Sequence, residues 1–275
     1  MITGRARLAG VIGWPVAHSR SPLLHGTWLA RYGIDGAYVP LAVRPEHFAA
    51  CVVSLMRMGF AGANVTIPHK ETAFALCDDV ASSARRAGAV NTLVFREGRI
   101  EGSNTDGIGF MENLRAHGVD PSAGPALVLG AGGAARAIGA ALLDAGVTVR
   151  FCNRTAERAT RLAAEIGGVV VGWEARAQAL RDHALVVNTT SLGMAGHQAL
   201  DLDLDRAPAG LAVADIVYVP LETPLLAAAR AGGLRAVEGL GMLLHQAVPG
   251  FAAWFGVTPV VDAALYQLVA GDLLA

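Results

Sequence analysis

One hexapeptide limits what this chain can fold into more than any other feature. Gly130-Ala131-Gly132-Gly133-Ala134-Ala135 fits G-x-G-x-x-A and lies between a strand-sized apolar run at 126–129 and a helix-like stretch at 134–145. In a strand–turn–helix of this kind the first Gly makes the tight turn and the second lets the backbone approach a pyrophosphate. The small residue in third place lets the helix pack close to the strand. The helix N-terminus then offers N–H groups and the positive end of its dipole to the phosphates. Alone the pattern is weak, but these flanks make it strong. They commit this region to a parallel βαβ arrangement of Rossmann type, with Gly130, Ala131, Gly132, Gly133 and Ala134 as candidate phosphate-facing residues.

The next strand bears on which dinucleotide would sit there. Folds that bind NAD usually end that strand in Asp or Glu, which bonds the ribose 2′-hydroxyl. This chain has Asn153-Arg154-Thr155 instead, with Arg158 one turn on. A carboxylate repels a 2′-phosphate, whereas a guanidinium forks onto one. NADP is therefore the expected cofactor, with Asn153, Arg154 and Thr155 as the phosphate clamp and Arg158 as a helper. An ordinary solvated Arg after a strand is the plainer alternative, and the glycine loop alone also suits a flavin or a methyl donor.

Apolar runs of strand length alternate with helix-like stretches along the whole chain, the pattern of an α/β protein. Strands are expected at 8–12, 37–43 and 63–67, with a helix at 45–58 and another opened by Ser21 as N-cap and Pro22 at the first helical position. Residues 91–95 and 99–102 read as a hairpin across Arg96-Glu97-Gly98, and Asp106 stands at a helix start. After the boundary loop Pro121-Ser122-Ala123-Gly124-Pro125 the pattern restarts. Strands follow at 126–129, 148–151, 185–188, 211–217 and 235–237, with a helix at 156–166, implying a parallel set of five or six strands. Residues 241–275 read as helical, with a helix start at Thr258-Pro259.

Composition removes several classes of function. A net charge of −1 gives no electrostatic footprint for nucleic acid or an anionic membrane. No apolar stretch reaches the ~18 residues of a membrane span. Residues 1–8 carry two Arg but no following apolar run with a cleavage site, so no signal peptide is expected and the cytoplasm is the expected location. Cys51, Cys77 and Cys152 are far apart, and no His/Cys cluster has zinc spacing, so neither a disulfide framework nor a metal is expected.

Lys70 is the one lysine in a chain whose other long basic side chains are all Arg. Lysine can give up its proton at useful pH and arginine cannot, so Lys70 is a candidate for chemistry. It ends Gly62-Ala63-Asn64-Val65-Thr66-Ile67-Pro68-His69-Lys70, at the close of a predicted strand, where α/β proteins place their sites. Upstream, Ser19 and Ser21 in Gly13-Trp14-Pro15-Val16-Ala17-His18-Ser19-Arg20-Ser21-Pro22 stand at a strand-to-helix turn. Their hydroxyls and the helix N–H groups would make a carboxylate cradle, although simple capping by Ser21 is equally open. Asn91 and Asp106 fall at comparable strand or loop ends, where a turn-forming role for Asn is the plain alternative.

Taken in order, G-W-P-V-A-H-S-R-S-P, N-V-T-I-P-H-K, A-V-N-T, N-T-D-G, G-A-G-G-A-A-R-A, N-R-T and G-M-L-L-H-Q-A span Gly13 to Ala247, and the chain resembles the shikimate dehydrogenase family. The resemblance implies NADPH-dependent reduction of 3-dehydroshikimate to shikimate. It implies that Ser19 and Ser21 bind the substrate carboxylate and that Thr66, Lys70, Asn91, Asp106 and Gln246 hold the ring hydroxyls. Lys70 and Asp106 would be the catalytic pair, and Tyr218 would lie near the substrate. Asn188, Thr189, Thr190 and Ser191 would flank the cofactor, Gly241 would belong to the loop near the nicotinamide, and Gly239 and Met242 would also bind the cofactor. The implied architecture is a substrate domain from 1–105 and 238–275, an N-terminal α/β unit to which C-terminal helices return, and a Rossmann-like NADP domain at 106–237. A monomer or homodimer acting on a small molecule is expected. His69 and Gly26 depart from the residues the resemblance leads one to expect, which bears on fine substrate preference.

In the implied reduction, an ammonium at Lys70 stabilises negative charge growing on the ring oxygen and supplies the proton. A carboxylate beside an ammonium favours retention of its proton, so Asp106 suits Lys70 to donation rather than abstraction. A quinate or dual quinate/shikimate dehydrogenase is the nearest alternative, and an NADP- or metabolite-sensing relative without activity is the other. Sensing does not need the Lys70–Asp106 pair.

Overall fold

The computed structural model describes residues 2–274. Its internal contacts divide the chain into two units, one running to Thr105 and resuming at Gln246–Val269, the other made of Asp106–His245 and the chain from Ala270.

The second unit contains a six-stranded parallel sheet. Its strands are β7 (Ala126–Leu129), β8 (Val149–Cys152), β9 (Val169–Val171), β10 (Leu185–Asn188), β11 (Ala212–Asp215) and β12 (Arg235–Val237), in the spatial order β12-β11-β10-β7-β8-β9. Such central strands are covered on both faces, which is why 126–129 and 185–188 read as unbroken apolar runs rather than alternations. Every residue of β7 and β10 is buried. Helices Gly133–Asp144 and Ala156–Ile166 join successive strands, and Ile138, Leu142, Leu162 and Ile166 pack with Val128, Val149 and Phe151 in one core. β9 was not among the expected strands. It has three residues, follows Gly167-Gly168, and forms a sheet edge with Val169 half exposed, so neither periodicity nor length announced it.

In the first unit the sheet is mixed, in the order β2-β1-β3-β5-β6-β4. β1 (Arg7–Gly13) lies parallel between β2 (Gly36–Ala42) and β3 (Gly62–Val65); β4 (Asp79–Val80) pairs parallel with β6 (Arg99–Ser103). β5 (Thr92–Arg96) and β6 form the expected hairpin. Its two turn residues both take positive φ, 52° at Glu97 and 74° at Gly98, the twist that matches right-handed strands. The rear of this unit is aromatic: His25 stacks on Tyr38 at 3.9 Å, and Phe251 and Trp254 of the helix Leu240–Phe255 complete the cluster. Burial pushes the His25 imidazole down to about 3, so the ring packs as a neutral aromatic.

Three boundary expectations are corrected. Residue 21 is not the N-cap: the helix Ser21–Arg31 is preceded by Arg20, and Ser21 is its first residue. The stretch at 45–58 opens with a 3₁₀ turn, Pro45–His47, before the α-helix Phe48–Arg57. Thr258-Pro259 lies in an irregular link, and the last α-helix starts at Ala263. Asp262 does the capping there, its Oδ1 accepting from the Leu265 N–H at 2.8 Å. Cys51, Cys77 and Cys152 are free thiols. Among the described residues no His/Cys/Asp/Glu group could hold a metal, and no helix is long and apolar enough to cross a membrane.

Candidate functional site

In the second unit most of the expected cofactor residues lie at the carboxyl ends of β7, β8 and β10, while Gly239 and Met242 follow β12. Strand register opposes Leu129 to both Cys152 and Asn188, so the residues that follow, Gly130, Asn153 and Thr189, emerge side by side. The Gly130 N–H donates to the Cys152 carbonyl at 2.8 Å, and the Thr189 hydroxyl donates to the Leu129 carbonyl at 2.7 Å. Gly130 has φ 118°, and a Cβ there would stand 2.4 Å from Thr189 Oγ1, so only glycine fits. At Gly132 and Gly133 the opposite holds: a Cβ would meet nothing within 4 Å. The backbone is thus bare at the start of the helix Gly133–Asp144, and no side chain caps that start. Ala135 is fully buried in the core beneath, as the third small residue of the motif requires.

Asn153 shapes the neighbouring loop, its Nδ2 donating to the Thr155 carbonyl at 2.9 Å. Arg154, Thr155 and Arg158 are exposed beyond it. Ser191 is exposed, and Met242 packs against the same core cluster as Ala131. Gly239 is in close approach to β11's exit, since a Cβ would lie 2.4 Å from the Ile216 carbonyl oxygen. An open backbone cradle at a helix N-terminus, flanked by exposed guanidiniums and no acid at the strand end, has the donor set a phosphorylated dinucleotide needs.

The first unit contains most of the expected substrate residues. Thr66 and Lys70 are half-buried at the turn that follows β3, where the His69 N–H closes on the Thr66 carbonyl at 3.0 Å and Lys70 opens the helix Lys70–Leu76. The Ser19 hydroxyl accepts from the Ser21 N–H at 3.3 Å. The capping alternative is therefore inverted: Ser19 contacts the helix's first N–H, and Ser21 is buried within the first turn.

Asn91 is the best-defined member. Its Oδ1 accepts from the Thr105 N–H at 2.9 Å, and Thr105 Oγ1 and Thr92 Oγ1 lie 3.1 and 3.0 Å from the same oxygen. A backbone N–H can only donate, so the amide's orientation is fixed with its oxygen turned inward. Asn64 supports this group, donating to the Asn91 carbonyl and to Thr92 Oγ1 while accepting from the Tyr38 hydroxyl at 2.7 Å. Thr105 Oγ1 also lies 3.4 Å from Gln246 Oε1, which ties the returning helix to the Asn91 group. The backing residues Tyr38, Asn64, Thr92 and Thr105 had no assigned role from sequence, because their pairing depends on strand register. Asp106 opens the helix Asp106–Ala116 and Tyr218 follows β11, both half-buried in the second unit.

His69 is not a pocket residue. It is 1% exposed, stacks on Phe48 at 4.6 Å, and its Nε2 lies 2.8 Å from the Val43 carbonyl oxygen. It is a core residue, and Gly26 sits exposed with nothing within 4 Å of its Cβ direction. A His69→Phe variant is expected to keep the substrate KM within about twofold, at a stability cost of roughly 1 kcal/mol for the lost hydrogen bond. Steady-state kinetics and urea unfolding check both parts; a large KM change returns His69 to the substrate site.

Two further polar groups take shape only in the structure. One is the buried set in which Asn188, expected beside the cofactor, is joined by Asp215 and Thr223. The other joins His117, near the end of the helix begun by Asp106, to Glu238 at 3.0 Å, beside Gly239. Glu238 raises the His117 pKa above its ordinary value, against the opposing effect of burial. A raised histidine contributes stability that is full below the unfolded value of ~6.5 and is lost as pH climbs through the folded value. Glu238→Gln is therefore expected to cost on the order of 1 kcal/mol near pH 6 and markedly less near pH 9 in urea melts. An equal cost at both pH values removes the ion pair from the account.

A family model, the shikimate dehydrogenase substrate binding domain, matches residues 11–93. Over 274 residues, covering 100% of this chain and 99% of the relative, the chain is 76% identical to shikimate dehydrogenase (NADP(+)) of Acidiphilium cryptum. Among solved structures, that of the Thermus thermophilus shikimate 5-dehydrogenase in complex with NADP(H) and shikimate superposes with a TM-score of 0.88. It is 40% identical, covering 97% of this chain and 99% of that one. Quinate dehydrogenase of Corynebacterium glutamicum in complex with NAD also superposes with a TM-score of 0.88, at 30% identity over 96% of this chain and 98% of that one.

Proposed function

The chain belongs to the shikimate dehydrogenase family, and on that premise we propose that it reduces 3-dehydroshikimate to shikimate with NADPH, reversibly, using Lys70 and Asp106 as its catalytic pair. The observation that supports the cofactor most directly is the bare Gly132-Gly133 backbone at an uncapped helix start, with Arg154 exposed at the adjacent strand end.

The unit holding residues up to Thr105 and Gln246–Val269 binds the substrate; the unit beginning at Asp106 binds the cofactor. Bound NADPH supplies a hydride to the ring ketone. Ser19 and Ser21 receive the carboxylate, and Thr66, Asn91, Asp106 and Gln246 receive ring hydroxyls, with Tyr218 close by. Asn91 suits this task because its inward oxygen is saturated with donors, which directs the amide nitrogen to the other side. Lys70 donates the proton to the ring oxygen as charge develops there, and Asp106 orients Lys70 and the ring. On the cofactor side, the backbone from Gly130 to Ala134 takes the pyrophosphate. Asn153, Arg154, Thr155 and Arg158 take the 2′-phosphate, and Thr189, Ser191, Gly239 and Met242 line the nicotinamide side. Free Cys51, Cys77 and Cys152 suit a reducing compartment, and the cytoplasm is the assigned location.

The test is direct: purified protein with shikimate or quinate and NADP⁺ or NAD⁺, following reduced cofactor by near-UV absorbance. Turnover with shikimate and NADP⁺ is the expected result. Faster turnover with quinate, or with NAD⁺, would move the chain to the quinate branch, and cofactor binding without turnover would leave it a sensor.

A further inference from the structure

Asp215 ends β11, an interior strand of the parallel sheet between β12 and β10, and is 2% exposed. Its Oδ1 accepts from Asn188 Nδ2 and from the Val217 N–H, each at 3.0 Å, and its Oδ2 accepts from the Thr223 hydroxyl at 2.8 Å. Asn188 extends the group: its Oδ1 accepts from the Thr190 N–H and hydroxyl at 3.0 and 2.7 Å, and its Nδ2 also donates to the Leu192 carbonyl at 3.0 Å. Two backbone links run alongside, from the Ile216 N–H to the Asn188 carbonyl and from the Ala195 N–H to the Val219 carbonyl. One buried carboxylate thus ties the segment after β10, which carries Thr189 and Ser191, to the segment after β11, which carries Tyr218.

We infer that Asp215 is a positioning residue that holds these two segments as a single ligand-facing edge, so that it sets cofactor and substrate affinity together without touching either ligand. The inference rests on the proposed roles of Thr189, Ser191 and Tyr218. A carboxylate is costly to bury, and burial pushes this one above the usual range in spite of its donors. An amide could cap β11 at lower cost, but it could not accept on both sides. Three separate chain segments need acceptors here, and only a carboxylate supplies them from one position.

Asp215→Asn tests this. Its single amide oxygen can serve Asn188 and Val217, or Thr223, but not all of them, and Thr223 is fully buried. Thr223→Val is the milder variant at Asp215 itself: it removes the donor to Oδ2, together with the acceptor that Thr223 Oγ1 offers the Leu226 N–H at 3.3 Å, and it carries the test if Asp215→Asn does not fold. Both KM values, for NADP⁺ and for shikimate, are expected to rise together by roughly tenfold in Asp215→Asn and by less in Thr223→Val. A merely structural carboxylate gives a different signature: a lower Tm and a smaller active fraction, with both KM values within twofold of wild type. That result, or a rise in one KM alone, overturns the inference. Amide exchange without ligand reads the same coupling independently of function: Thr190, Leu192 and Val217 should lose protection together, and loss at Val217 alone also overturns it. Wild-type turnover is measured first, so a chain inactive on shikimate would remove the proposed function while exchange still decides the role of Asp215.

Discussion

Lys70→Met is expected to lower kcat for shikimate oxidation by about 10²–10⁴-fold, the usual contribution of a positioned proton-transfer group. Methionine keeps the unbranched stem and loses only the ammonium, so the half-buried start of the helix Lys70–Leu76 should survive. Lys70→Arg separates the two functions given to this residue. Arginine restores the positive charge but does not release a proton at useful pH. Electrostatic stabilisation alone predicts substantial recovery in Lys70→Arg; proton donation predicts activity near that of Lys70→Met. We expect the second outcome, with the shikimate KM of Lys70→Arg changed far less than its kcat. Turnover of Lys70→Met within a few-fold of wild type would remove Lys70 from the chemistry.

Arg154→Asp is expected to invert cofactor choice. Charge-assisted hydrogen bonds contribute about 1.5–3 kcal/mol, so losing those to the 2′-phosphate should raise the NADP⁺ KM roughly 10- to 150-fold. The new carboxylate adds repulsion toward a phosphate and an acceptor for a 2′-hydroxyl, so the NAD⁺ KM should hold or fall. Arg154 is exposed, so part of the effect should be screened, and the wild-type preference for NADP⁺ should narrow as salt rises. Parallel KM determinations with both cofactors at low and high ionic strength check this. Unchanged discrimination would reassign the 2′-phosphate to Arg158 or leave the clamp without support.

The cofactor side was legible because its signals are local. A six-residue pattern needs particular φ values and small side chains in consecutive positions, and neighbouring strand ends follow from parallel order. Lys70 stands out for a compositional reason, as the one lysine of the chain, and the structure adds its half-buried place at the start of the helix Lys70–Leu76. The support behind the substrate residues was not legible. Asn91 and Thr105 lie 14 positions apart, Tyr38 and Asn64 26 apart, and Asn188 and Asp215 27 apart. Each pair forms only once strand register or a returning loop brings it together, and no residue type at either position announces the other. Ser19 and Ser21 show a smaller failure: the spacing was read correctly, but which hydroxyl serves the helix start depends on where the first turn begins. Likewise, Asp262 outcompeted Thr258-Pro259 because a capping side chain must lie just before the first turn, not merely near it.

The returning helix sets a timetable for synthesis. The Trp254 indole donates to the Leu93 carbonyl across 161 positions, and Phe251 closes the cluster around His25. At ordinary translation rates those residues emerge roughly 10–30 s after Leu93. By the end of that interval all the strands from β7 to β12 have been made, while the first sheet still lacks Phe251 and Trp254 behind it. The sheet that begins the chain therefore receives its last aromatic partners only after every strand of the parallel sheet has been made.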